Sequence, residues 1–222
     1  MTNFQILKKK IIYIPVEDMP DGDDPYLREN FQRNCILRGL TNSSENDIII
    51  ISDLDEIPNP KSMDQFQKKM KYAVFRQNHY YYKINLQSEQ NPYWLGSRIS
   101  VKKFLKSPQW LRDLKFKRRP FWRLDKLRLN NIIENGGWHF CNLKNAEQLL
   151  YKYKNLCETN DPYHFNEKID QKYLQIAEIE KKIISGKDII GREDIFKAKR
   201  LDKSFPDQIL QNIEKYKEWI VN

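Results

Sequence analysis

Apolar positions along the chain come first in short runs and later in helical stripes. Lys10–Val16 (KIIYIPV) is a β-branched run and predicts a buried strand. A loop rich in Asp, Pro and Gly follows. From Tyr26 to Leu40 the residues Leu27, Phe31, Ile36 and Leu37 keep roughly helical spacing, until Gly39 and the polar cluster Thr41–Ser44 stop the helix. Asp47–Ser52 (DIIIIS) is apolar at every inner position, as expected of a central strand covered on both faces. Strand, helix and strand in that order predict an α/β sheet with parallel neighbours. A helix around Met63–Met70 leads to Ala73–Arg76, and the stretches from Gln77 to Leu86 and from Trp94 to Val101 read as strands. Residues 104–135 mix aromatic and basic side chains and give no clear period. Beyond Asn145 the period becomes helical. Leu149, Leu150, Tyr153, Leu156 and Cys157 form one stripe, Ile169, Tyr173, Ile176 and Ile183 a second, and Ile209, Ile213, Tyr216 and Ile220 a third. The expected architecture is a single α/β domain over residues 1–222, with a helical C-terminal third.

Composition narrows the class. With 40% hydrophobic and 13% aromatic residues the chain has enough apolar surface to offset its ordering entropy, which excludes disorder. No apolar run approaches the roughly 18 residues of a membrane span. The first residues (MTNFQILKKKIIYI) show no signal-peptide pattern, so a cytoplasmic protein is expected. Cys35, Cys141 and Cys157 are an odd set at spacings that match no zinc framework, and they read as reduced thiols. The charge of +9 says less, because the basic residues are dispersed and often alternate with acids, as on a solvated helix face. The densest cluster, Lys115–Arg119, runs into Pro120-Phe121-Trp122-Arg123. Basic and aromatic residues interleaved in this way suit phosphate tracking and ring stacking. They keep a nucleic-acid-binding protein, or a metal-dependent nuclease, as the rival reading. No concentrated basic stripe or nucleic-acid motif supports that rival.

The chemistry concentrates where the isoleucine run ends. Ser52-Asp53-Leu54-Asp55-Glu56-Ile57-Pro58 places three carboxylates within four residues at the carboxyl end of a strand, where α/β sheets bind ligands. If the strand continues, Asp53 and Asp55 point the same way. Two converging carboxylates repel unless a cation or proton neutralises them. A hard divalent ion, Mg²⁺ or Mn²⁺, fits that role.

Three segments in this order resemble glycosyltransferase family 17: Asp24–Leu40 (DPYLRENFQRNCILRGL), Ser52–Pro58 (SDLDEIP), and Gly136–Phe140 (GGWHF) followed by a helix with Glu147 and Lys152. The resemblance covers roughly residues 10–200. It implies a GT-A-like (Rossmann-like) mixed sheet flanked by helices and an inverting transfer of a sugar, N-acetylglucosamine in the family, from a nucleotide-sugar donor such as UDP-GlcNAc to a carbohydrate hydroxyl. It also implies a metal-binding D-x-D at Asp53 and Asp55. Family members usually carry a strand and helix ahead of the segment matching Lys10–Val16, so a sheet shortened at the N-terminus is expected.

The remaining candidates follow from what glycosyl transfer requires. A carboxylate-held metal neutralises the leaving diphosphate, and a base must take the acceptor proton if configuration inverts in one displacement. Glu134-Asn135-Gly136-Gly137-Trp138-His139 offers glycines for a tight turn, with His139 entering a helix as a third metal-shell residue or base. Glu134, Glu56 and Glu158 all remain candidates for the base. Arg28, Arg33 and Arg76 are candidates for the diphosphate. His79 with Tyr80-Tyr81-Tyr82 suits a sugar site, Tyr80 and Tyr82 sharing one strand face. Trp94, Gly96 and Arg98 have similar status, and His164 reads as a loop residue. The expected partners are a nucleotide-sugar donor and a carbohydrate acceptor, with no nucleic acid and no transmembrane segment.

Overall fold

A computed structural model describes residues 10–22, 24–115, 131–155, 175–190 and 192–221. Asp24 caps the first helix, α1 (Pro25–Asn34), by accepting from Tyr26 N, and proline occupies its first turn. A 3-10 turn, Cys35–Leu40, continues it. Strands β1 (Ile48–Ile51) and β2 (Glu56–Pro58) come next, then the long β3 (Tyr72–Tyr81), β4 (Leu86–Ser88) and β5 (Tyr93–Val101). Helix α2 (Pro108–Asp113) starts at a Ser107 cap and precedes β6 (Ile132–Cys141), α3 (Ala146–Asn155), α4 (Ile176–Ile184) and β7 (Phe196–Ala198). Two short helices, α5 (Asp207–Leu210) and α6 (Ile213–Tyr216), lead to a final 3-10 turn.

The seven strands make one mixed sheet. Its path runs β1-β5-β3-β4-β7, with β6 on the other edge of β3 and β2 beyond β6. Only β3 and β6 run parallel; every other pair is antiparallel. The expected parallel neighbours of the isoleucine strand are therefore corrected: among the described residues β1 lies at the end of the sheet and pairs with β5 alone, antiparallel. Ile49 and Ile51 are buried against Leu111 of α2, whereas Ile48 is 42% exposed. Four apolar residues without alternation report hydrophobicity, not position in the sheet.

Other expectations change as well. Lys10–Val16 forms no strand; Tyr13 is 83% exposed, and Ile12 and Ile14 lie over Gly39 of the 3-10 turn. A run of seven residues carries no information about whether an edge is free to accept it. Met63–Met70 forms two 3-10 turns, because Pro60 starts the first and Phe66 adopts an extended backbone that ends it. Gly136–Phe140 is not a turn before a helix but the second half of β6. The third stripe is broken into α5, α6 and the 3-10 turn, and β7 interrupts the helical C-terminal third. Ile169 and Tyr173 of the second stripe, together with Leu156, Cys157, Glu158 and His164, lie outside the described residues, as does Phe116–Arg123 of the basic–aromatic segment.

Two apolar clusters pack against the sheet. Phe66, Phe75, Ile99 and Ile133 form one cluster, and Tyr80, Ile84, Phe140, Phe205 and Ile209 another, closed by the C-terminal helices. Tyr82 does not share the face of Tyr80. Its φ of 61° breaks the strand, and it packs with Leu86, Leu149, Ile179 and Phe196 instead.

Candidate functional site

Strand β1 stops at Ile51, and the chain turns at once. The Glu56 amide donates to the Asp53 carbonyl at 3.1 Å, and Leu54 at the tip is fully exposed. The expectation that Asp53 and Asp55 share a strand face is thereby replaced by a turn that gives them different partners. Asp53 meets Arg112 Nη2 at 2.7 Å and Arg33 Nη2 at 3.4 Å. The Asp55 carboxylate lies 3.4 Å from His139 Nε2. Partial burial is the largest influence on the Asp55 carboxyl and works against its charge, but the hydrogen bond and charge of His139, a backbone hydrogen bond and the charge of Lys152 together hold it below its ordinary value.

Glu56 is the anchor of this turn. Its side chain is 1% exposed, yet it accepts from Arg112 at 2.9 and 3.0 Å, from Trp94 Nε1 at 2.9 Å, from the Ser97 hydroxyl at 3.3 Å and from the Asp53 amide at 3.2 Å. A buried carboxylate with a bidentate guanidinium and three further donors is fully satisfied. Glu56 therefore positions the turn, with no lone pair left to act as base. Arg112 also donates to the Gly96 carbonyl at 2.9 Å. At Gly96 a side chain would collide with the Gln77 amide, so glycine is required for this approach. Arg33 binds Gln109 and Glu29 as well as Asp53, and so ties α1 and α2 to the turn.

Register brings the remaining groups in. Glu56 pairs with His139 across β2 and β6, and His139 with His79 across β6 and β3. The two imidazoles stack, with centroids 4.8 Å apart and planes 4° from parallel, and both lie within 5.5 Å of the Trp94 ring. Burial and then the neighbouring His139 pull the pKa of His79 down to about 4, so it is neutral at physiological pH. Burial pushes the Cys141 thiol up to about 12.

Beside this row of rings lies a cavity of about 660 Å³. Its walls include His79, Trp94, Tyr93, Arg98, Arg112 and Arg192. With Tyr81 also in the wall, three guanidinium groups and four aromatic rings, beside the Asp194 carboxylate, suit an anion joined to a ring. Burial, followed by the charge of Arg112, lowers the Arg98 pKa to about 10, still leaving it cationic.

Not every expected residue joins the cluster. Glu134 sits in a bulge of β6, where register slips between Phe75 and Gln77, and pairs with Arg76 at 3.1 Å. Arg76 in turn lies 4.1 Å over the Tyr93 ring. No contact among the described residues joins Glu134 to Asp53, Asp55 or His139. Gly137, at φ 128°, serves the bulge; a side chain there would strike the Ile57 carbonyl. Its close approach is to β2, not to a ligand. Arg28 donates to the Gly22 carbonyl, away from the turn. Lys152 binds Asn142 at 2.7 Å. Trp138 donates to the Ser204 carbonyl and packs on the opposite core. Sequence reasoning missed Arg112 and Ser97. The Ser-Pro start of α2 was a legible signal that Arg112 lay on a helix.

The geometry defines a class first: a mixed α/β protein whose acid-bearing turn adjoins a cationic, aromatic cleft. The model of glycosyltransferase family 17 matches residues 1–196, and the chain belongs to that family. It is a glycosyltransferase. No curated protein and no solved structure matches the chain. Among the described residues, no helix is long and apolar enough to cross a membrane.

Proposed function

We propose that the chain is a metal-dependent inverting glycosyltransferase of GT-A type, moving a sugar from a nucleoside-diphosphate donor to a hydroxyl acceptor, with residues 1–222 acting as one unit. N-acetylglucosamine from UDP-GlcNAc is the donor that the family resemblance supports. The observation that carries the reading is the Asp53–Asp55 turn, joined through Arg112 to a cavity lined by Arg98, Arg112 and Arg192. Those guanidiniums hold a diphosphate and stabilise the negative charge that grows on it as the sugar leaves. Trp94 and Tyr93 offer apolar ring faces to the sugar or base.

The donor set fits a divalent ion at Asp55 and His139, one carboxylate oxygen and one imidazole nitrogen facing each other at 3.4 Å. When bound, such an ion acts as a Lewis acid on the leaving diphosphate. Asp53 has both oxygens on guanidiniums and so orients Arg33 and Arg112 instead of offering a free ligand. Glu134, ion-paired with Arg76, receives no step in this reading.

The test is a thermal-shift titration with UDP-GlcNAc and other nucleotide sugars, with and without Mn²⁺. A ligand that binds only the folded chain raises the melting temperature. The expected result is an Mn²⁺-dependent rise with one donor, abolished by Asp55→Asn. An Asp55→Asn variant that binds donor and metal like the parent removes the metal assignment.

A further inference from the structure

The parallel register of β3 and β6 sets His79 beside His139 and Tyr81 beside Cys141. Because side chains alternate along a strand, all four project from one face. One nitrogen of each histidine is engaged. His79 Nδ1 lies 3.3 Å from the Asn91 carbonyl, and His139 Nε2 lies 3.4 Å from the Asp55 carboxylate. Both neighbours are acceptors, so the tautomer that meets each of them carries its proton there and its lone pair on the other nitrogen. Those other nitrogens, His79 Nε2 and His139 Nδ1, are buried and have no hydrogen-bond partner among the described residues. The two residues are 4% and 7% exposed. Buried polar atoms left unpaired are rare in folded proteins and call for a physical reason.

Cys141 supplies the third group. Ligand atoms of His79, His139 and Cys141 all lie within 4.8 Å of one another. We propose that His79, His139 and Cys141 form a site for a borderline divalent transition metal of the Zn²⁺ or Co²⁺ kind, using the ring nitrogen of His139 opposite the one that faces Asp55. Two imidazole nitrogens and a thiolate select such ions over Mg²⁺ and Mn²⁺, which prefer oxygen. On binding, the Cys141 sulfur–hydrogen bond breaks, the proton passes to solvent and the sulfur bonds to the metal, while the imidazoles donate lone pairs without losing protons. The stacked rings must tilt for those lone pairs to converge. Three protein ligands leave a fourth position for water or a ligand. His79 and Tyr81 also line the 660 Å³ cavity, which provides the route in.

Occupancy draws His139 away from Asp55, so Zn²⁺ should inhibit transfer; this consequence rests on the function proposed above, whereas the binding itself does not.

The experiment is a Co²⁺ titration of the metal-free, full-length protein without nucleotide, followed by absorption spectroscopy. One equivalent per chain should produce visible cobalt bands and a thiolate-to-cobalt charge-transfer band in the near ultraviolet. Cys35→Ser and Cys157→Ser should keep that band, and Cys141→Ser should lose it. His79→Gln, checked for folding by circular dichroism, should weaken binding at least about tenfold, the scale on which even outer-shell partners act. Asp55→Asn should retain the band, and Cys141→Ser should retain Mn²⁺-dependent donor binding. No thiolate band in the parent, or a band that survives Cys141→Ser, overturns the site. A cobalt band in a protein that binds no nucleotide sugar would defeat the proposed function and leave this site standing.

Discussion

Strands β3 and β6 present two faces of opposite chemistry from residues that are neighbours in sequence. On one face His79 and His139 stack beside Trp94, Glu56 and Arg112. On the other, one residue further along each strand, Tyr80 and Phe140 stack at 5.5 Å and close on Phe205 and Ile209. Both faces are buried, so burial alone does not tell them apart. What differs is the kind of group buried. The Tyr80 face is held by ring and aliphatic contacts around a single buried hydroxyl, while the polar face holds a carboxylate with five donors at Glu56 and, on the next two strands, two imidazole nitrogens unpaired among the described residues. A fold that satisfies Glu56 so fully and leaves those nitrogens unpaired separates positioning groups from groups free to meet a ligand.

The sharpest way to break this contrast is to cross the two faces in one pair of variants. His139→Ala should lower transfer by about 10²–10⁴-fold, the usual effect of losing a positioned catalytic group, beyond any loss of folded protein. Steady-state rates normalised to folded fraction decide it. Phe140→Ala should do the reverse, lowering stability by about 3–5 kcal/mol through the cavity it leaves while turnover per folded molecule is kept. Equal losses of turnover in both variants would erase the distinction between the faces.

A smaller effect sharpens the comparison within the polar face. Glu56→Ala leaves Arg112 buried with only Asp53 and a carbonyl as partners. Denaturant unfolding should show a loss of about 3 kcal/mol, the lower end for breaking a buried ion pair. Glu56→Gln keeps the shape and removes the charge, and should fall between that variant and the parent. An unchanged stability would mean that the buried carboxylate does not hold the turn.

Part of this molecule is legible in its residue order. Ile48–Ile51 is a strand, Tyr93–Val101 is another, and Asp24 with Pro25 opens a helix, because each signal is local. The acid-bearing turn after the isoleucines is equally legible as the place where chemistry sits. Lys10–Val16 misleads because its composition matches a strand, while strand formation needs an available neighbour. Gly136-Gly137 misleads for a related reason: positive φ marks a sharp backbone change, and a bulge inside a strand uses it as readily as a turn does.

The sequence alone determined which segments are apolar, where helices start, and that carboxylates and a Gly-Gly-Trp-His string exist to be used. Only the tertiary structure decided that β1 pairs antiparallel with β5, that Asp53 meets Arg112 while Asp55 meets His139, and that His79 stacks on His139 from a strand far away in the chain. Hydrophobic period and caps act over a few residues, so they are written locally. Strand partners and register are fixed by which long-range pairing buries the most apolar surface with every polar group met, a property of the whole chain that no short window contains.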